Sequence, residues 1–129
     1  MSDIFLDRAT AVLTKVLDGT AVRQRTLTTN IANAETPGYQ RRDVDFTTRL
    51  TEITSRVHDD PRQIVRDIEG VAVETSEDAN APRKIDGNSV NIEHEMVELA
   101  RNSLEYETSA RLLSMKLSGL KNAIREGRR

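Results

Sequence analysis

The stretch His94-Glu95-Met96-Val97-Glu98 comes nearest to metal chemistry in this chain. A zinc helix of the H-E-x-x-H type needs two imidazoles one turn apart on one face, and here the closing position is Glu98. The segment reads instead as a first helical turn, its acids placed at the positive end of the dipole. His58 stands beside Asp59 and Asp60 and reads as part of a solvated loop. With 21 acidic residues, carboxylate pairs arise by chance, and no pair is marked as acid and base. A G-x-S-x-G elbow and a Gly-rich phosphate loop are both missing. The absence of cysteine removes disulfides, thiolate metal sites and cysteine nucleophiles. Arg41-Arg42 and Arg128-Arg129 could touch nucleic acid, but Asp43 and Asp45 crowd the first pair and the second is a short tail. A solvated face or ion pairs between subunits suits them better. The expectation is a chain with no catalytic, cofactor or metal residues, and neither an enzyme nor a nucleic-acid binder.

Composition agrees. The 129 residues suffice for one domain, and only 3% are aromatic, with no Trp to centre a compact catalytic core. Charged residues make up 31%, with 19 basic against 21 acidic, a balance that excludes a strongly basic or acidic partner surface. No apolar run is longer than three residues, as in Val71-Ala72-Val73, so no membrane insertion is expected. The N-terminal residues lack a basic n-region and an apolar h-region, so no cleavable secretory signal is expected.

Two segments carry helical periodicity. Ile92, Met96, Leu99, Ser103, Tyr106, Ala110, Leu113, Leu117, Leu120 and Ile124 follow alternating spacings of four and three, and all but Ser103 are apolar. This is a coiled-coil seam, and it predicts a helix over 92–126 with Asn91 as N-cap and Gly127 as stop. Toward the N-terminus, Leu6, Thr10, Leu13, Leu17, Thr20, Gln24, Leu27, Ile31 and Ala34 repeat the spacing less cleanly, with Phe5 widening the stripe and Asp3 available as a cap. Gly19 lies inside that pattern at a cost of about 1 kcal/mol relative to Ala, and is expected to be tolerated.

Between the helices the branched aliphatics are Ile and Val, with no Leu from Thr51 to Glu98. Such residues favour short strands or irregular packing, and Asp59-Asp60-Pro61, Gly70, Ala81-Pro82 and Asp86-Gly87-Asn88 read as breaks. The expected fold is mainly α: long N- and C-terminal helices forming a coiled-coil hairpin, with a short irregular or small β insert, partly mobile. The divisions within this single domain fall at 1–36, 37–90 and 91–129. A two-helix hairpin has one seam and a thin core. Val97, Leu104 and Leu112 lie off that seam and need cover, which points to burial against other chains.

The most specific text is Thr29-Asn30-Ile31-Ala32-Asn33-Ala34-Glu35-Thr36-Pro37-Gly38-Tyr39. Asn30 and Asn33 are placed to satisfy the last helical backbone groups, Pro37-Gly38 suits the centre of a type II turn, and Tyr39 can fold back on the helix end. This string resembles the N-terminal signature of the bacterial flagellar basal-body rod protein family, the axial proteins of rod and hook. Arg41-Arg42-Asp43-Val44-Asp45-Phe46 and Gly87-Asn88-Ser89-Val90-Asn91 are most similar to its proximal rod subunits, and the resemblance covers about 3–50 and 86–126.

The resemblance implies a structural subunit that self-assembles into a hollow axial structure and transmits torque. The assembly seam would run through Leu13, Leu17, Leu27 and Ile31, and through Ile92, Met96, Leu99, Tyr106, Leu113, Leu117, Leu120 and Ile124. The implied contacts are copies of itself, neighbouring rod proteins, the basal adaptor FliE and, in transit, the flagellar type III export apparatus. The implied location is the periplasmic rod of the basal body. Phe46 and Leu50, four apart, resemble the Phe-x-x-x-hydrophobic element with which such subunits dock on the export gate. The two alternatives are another secreted helical-hairpin protein, of which the WXG type needs a Trp this chain lacks, and a cytosolic coiled-coil adaptor.

Overall fold

The computed structural model describes residues 2–56 and 59–128, with side chains from Arg8 onward. His58, Arg129 and the side chains of Asp3, Phe5 and Leu6 lie outside that set. The chain forms α1 (Ser2–Ala32), β1 (Arg42–Val44), α2 (Thr47–Thr54), α3 (Pro61–Glu69), β2 (Thr75–Glu77) and α4 (Ile92–Glu126). Helices α1 and α4 make the long hairpin, and β1 and β2 pair antiparallel with Asp43 opposite Ser76.

The helix predicted over 92–126 is α4. The Asn91 side chain accepts from Glu93 N at 3.1 Å and His94 N at 3.2 Å, supplying partners that the first turn lacks. At 35 residues it is about 50 Å long. Helix α1 runs without interruption through Gly19. The glycine is needed there: a Cβ built on it would lie 2.6 Å from Cδ1 of Phe46 and nearer still to Cε1 and Cζ. The helix gives up some propensity at that point and gains a notch that admits an aromatic ring.

The insert differs from the expectation of strands and irregular chain, because it also holds α2 and α3. Asp59-Asp60-Pro61, read as a break, starts a helix. The Asp60 carboxylate accepts from Arg62 N at 3.0 Å, and Pro61 occupies the first turn, where its missing N–H costs nothing. Ile64 and Ile68, one turn apart, are both buried. Tertiary burial outweighs the weak helix preference of the β-branched residues.

That burial also moves the core. Val44, Phe46, Leu50, Ile53, Ile64, Ile68 and Val71 form one buried cluster, with Ala11, Val12, Val16 and Val22 of α1 packed on it. The main apolar core therefore lies between α1 and the insert, not in the hairpin seam, so the hairpin is less thin than its sequence implies. Basic residues on this face of α1 tie the insert down. The Arg8 guanidinium donates to Thr54 O at the end of α2, Lys15 Nζ donates to Glu69 O (2.9 Å) and Val71 O (3.1 Å) at the end of α3, and Arg23 donates to Val44 O at 2.5 Å. Cations at two helix C-termini complement the dipoles.

Candidate functional site

The motif that ends α1 folds into a braced double turn. Asn33 Nδ2 donates to Thr29 O at 2.8 Å, and Thr36 Oγ1 donates to Asn33 Oδ1 at 3.2 Å. Tyr39 N donates to Thr36 O at 3.2 Å across Pro37-Gly38, and Gly38 has φ 73°, the positive value a type II turn requires at that place. A second turn, closed by Gly87 N on Lys84 O at 2.9 Å with Gly87 at φ 83°, packs against the first. A Cβ on Gly87 would stand 3.4 Å from the Gly38 Cα, so the two backbones approach closely. Asn88, fully buried, donates to Asn33 O and Thr36 O at 2.8 Å each. It is therefore Asn88, far along the chain, that joins Asn33 in serving the end of α1.

Asn30 has another task. Its Nδ2 donates to Arg42 O (2.7 Å) and Glu95 Oε2 (3.0 Å), and its Oδ1 accepts from Arg42 N (3.1 Å) and the Tyr39 hydroxyl (3.2 Å). All four capacities of the amide are used, and Asn30 is fully buried. It joins α1, β1 and α4.

Arg41 and Glu95 complete this lock. Glu95 is fully buried, and the Arg41 guanidinium bonds its Oε1 while also reaching Asp78 Oδ2 at 2.9 Å and Asp43 Oδ2 at 3.4 Å. Burial alone would lower the Arg41 pKa, but the hydrogen bond and charge of Glu95, helped by Asp43, raise it above its ordinary value. Arg41 is thus neither a solvated residue nor an intersubunit one, and Glu95 is not a surface acid serving the dipole. Both Glu95 oxygens are engaged from within the chain, which makes the cluster a structural joint. His94 is exposed, and among the described residues no group of three His, Asp or Glu side chains could hold a metal ion.

Along the hairpin, α4 turns a polar row toward α1: Glu95, Asn102 and Ser109, each seven residues from the next and all buried. Asn102 Nδ2 donates to Thr20 O at 2.9 Å and Gln24 Oε1 at 2.8 Å. Beside this row Leu27 is buried, while Leu13, Leu17, Ile31, Leu99, Leu113 and Leu120 are half-buried. Ile92, Met96, Tyr106, Leu117 and Ile124 remain exposed, as does Ala32. The heptad seam therefore straddles the contact with α1, with one side covered and one side open. Val97, Leu104, Leu112 and Met115 are exposed as well. Phe46 and Leu50 are both buried in the insert core, with Leu50 N on Phe46 O at 3.0 Å.

A buried polar joint, a braced Pro-Gly turn and a long helix with apolar residues left open make a structural chain. Comparison with known proteins places it among the flagellar rod proteins. It is 32% identical over 133 aligned positions to the flagellar basal body rod protein FlgB of Escherichia coli (strain K12), covering 95% of this chain and 96% of that one. It is 31% identical over 127 positions to the FlgB of Aeromonas hydrophila, with 95% and 96% covered, and 36% identical over 107 positions to that of Cereibacter sphaeroides, with 80% and 83% covered. No family model matches the chain. The chain belongs to the FlgB family of flagellar basal body rod proteins.

Proposed function

We propose that the chain is a structural subunit of the proximal rod, built into a hollow axial structure that transmits torque and carrying out no catalysis. The observation that carries this reading is the open apolar surface of α4. Met96, Val97, Leu104 and Met115 are each more than half exposed on a helix whose packing partner within the chain is α1. A helix that is apolar on more than one face belongs inside an assembly. The seam residues that stay open, Ile92, Met96, Tyr106, Leu117 and Ile124, extend this surface along the length of α4.

In this reading the neighbours are copies of the chain, other rod proteins and the adaptor FliE. The subunit reaches the periplasm through the flagellar type III apparatus, and Phe46 and Leu50 meet the export gate while the chain is still unfolded. Among the described residues no helix is long and apolar enough to cross a membrane. The test is to replace the gene with one encoding an epitope-tagged chain and to isolate basal bodies. The tag should localise to the base of the rod, and deletion should abolish rod and motility. A tagged chain that stays in the cytoplasm of motile cells would support the adaptor reading instead.

A further inference from the structure

The buried row of α4, Glu95, Asn102 and Ser109, faces α1, so residues two positions away from it stand nearly opposite, on the outside of the hairpin. There Glu93, Val97, Ala100 and Leu104 form a stripe along the first half of the helix, and Arg111, Met115, Ser118 and Asn122 continue it along the second. All of these residues are exposed. Each member of the first set has a counterpart 18 residues on, five whole turns, and so on the same line. The counterparts match in kind: an acid and a base, two apolar chains, two small residues, and Leu104 with Asn122.

The charges of α4 outside the Glu95 joint divide in the same way. Glu93, Glu98, Glu105 and Glu107 stand in the first half against Arg101, which Glu98 already holds at 3.3 Å. Arg111, Lys116, Lys121 and Arg125 stand in the second half against Glu126. Arg83 and Lys84, in the loop before the helix, share a cavity with Glu93, but Lys84 Nζ donates to Ala34 O at 3.3 Å. Glu98, Glu105 and Glu107 lie about one to four turns further along, so the first half stays acidic.

We propose that the outer stripe of α4 packs on that of a second copy running in the same direction and displaced by about 27 Å, so that Glu93, Val97 and Ala100 of one lie level with Arg111, Met115 and Ser118 of the other. The occupant is a second copy because the stripe itself supplies both sides of the contact. Other alignments of two copies do not match. In register, Glu93 would meet Glu93 and Arg111 would meet Arg111. Antiparallel, the same overlap would set Leu104 against Arg111 and Glu93 against Asn122. The displaced pairing leaves the second half of one copy and the first half of the other open, so copies add without closing as a two-fold dimer. This rests on the reading of the chain as a rod subunit and specifies how two copies are offset.

The chain has no cysteine, so an engineered pair reports without background. Ala100→Cys and Ser118→Cys, small-for-small changes at exposed positions, are combined in one epitope-tagged chain that replaces the cell's own, and basal bodies are isolated under mild oxidation. Five turns apart on one helix, the two thiols cannot join within a chain. A ladder of linked dimers, trimers and longer species is expected, absent from each single variant. Dimers alone would mean a closed antiparallel pair, and dimers from a single variant an in-register one. Either overturns the contact, as does a link to a different protein. A double variant that enters basal bodies but stays monomeric overturns it as well and leaves the rod reading intact. The tagged chain without cysteines runs alongside, and its absence from basal bodies sinks both. In an arm that needs no cysteine, Glu93→Arg and Arg111→Glu should each cut the chain recovered in basal bodies several-fold, and the two together should restore it. No restoration overturns the register.

Discussion

The ring of Phe46 occupies the space that a side chain at position 19 would take, so Gly19 and Phe46 act as a notch and its key. The Arg23 guanidinium covers the ring from 5.2 Å, completing the seat. Gly19→Ala gains about 1 kcal/mol in helix propensity but forces the ring aside, an overpacking cost of about 1–3 kcal/mol. The variant should melt below the wild type by circular dichroism. Adding Phe46→Leu should recover part of the loss, as coupled neighbours do. An Ala variant that melts at or above the wild-type temperature would show that the ring is free to move.

Removing Arg41 leaves Glu95 buried with no counterion, whereas removing Glu95 leaves Arg41 with Asp78 and Asp43. Arg41→Met should cost about 3–5 kcal/mol in urea unfolding, and Glu95→Met less. Arg41→Met with Glu95→Met should cost clearly less than the sum of the two single losses. Additive losses would mean that the two side chains act independently.

Tyr39 sets an alkaline limit. Burial raises its phenol above 10.0, Arg42 pulls the other way, and Glu95 adds to the rise. Below pH 10 both folded and unfolded chains hold the proton, and the contribution is complete. As pH climbs past 10 the unfolded chain ionises first, so stability falls until the folded phenol has also ionised. Tyr39→Phe has no proton to lose and should show a shallower decline between about pH 9 and 11 in a series of thermal melts, about one unit either side of the ordinary phenol pKa. Equal slopes would remove Tyr39 as the cause.

Phe46 and Leu50 are packed in the native fold, so only a step before folding separates docking from packing. Phe46→Ala with Leu50→Ala should leave the subunit in the cytoplasm. Ile53→Ala with Ile64→Ala weakens the same core by about 2–5 kcal/mol per site, yet should be exported at the wild-type rate. If both double variants leave the cytoplasm equally well, Phe46 and Leu50 serve packing alone.

The long helices were legible because a seam of apolar residues at heptad spacing and an Asn91 cap are local signals. The insert was not. Asp60-Pro61 marks both a break and a helix start, and only the burial of Ile64 and Ile68 against α1 decides between them. The joint was hidden for another reason: Arg41 lies 54 positions from Glu95, and nothing near either residue announces the other. A pairing of Arg41 with an interior acid could have been sought in Glu95, the first-turn acid that heads the buried row of α4. The apolar count drew attention to the flanking residues instead. Gly19 shows the opposite case, where a local cost was visible and its long-range return was not.

The polar row on α4 also governs how the hairpin can fail. A heptad seam is indifferent to a slip of seven residues, since each apolar position meets another of its kind. Glu95, Asn102 and Ser109 share that seven-residue period but differ in chemistry: an acid, an amide and a hydroxyl. A slip by one repeat that moved Glu95 to the place of Asn102 would set a carboxylate against Thr20 O and Gln24, with Arg41 out of reach. The misaligned pair would then hold a buried charge with no counterion, and it would reopen faster than it could settle. The row thus favours one alignment, the one in which Glu95 meets Arg41 and Asn30 while Asn102 meets Thr20 O and Gln24.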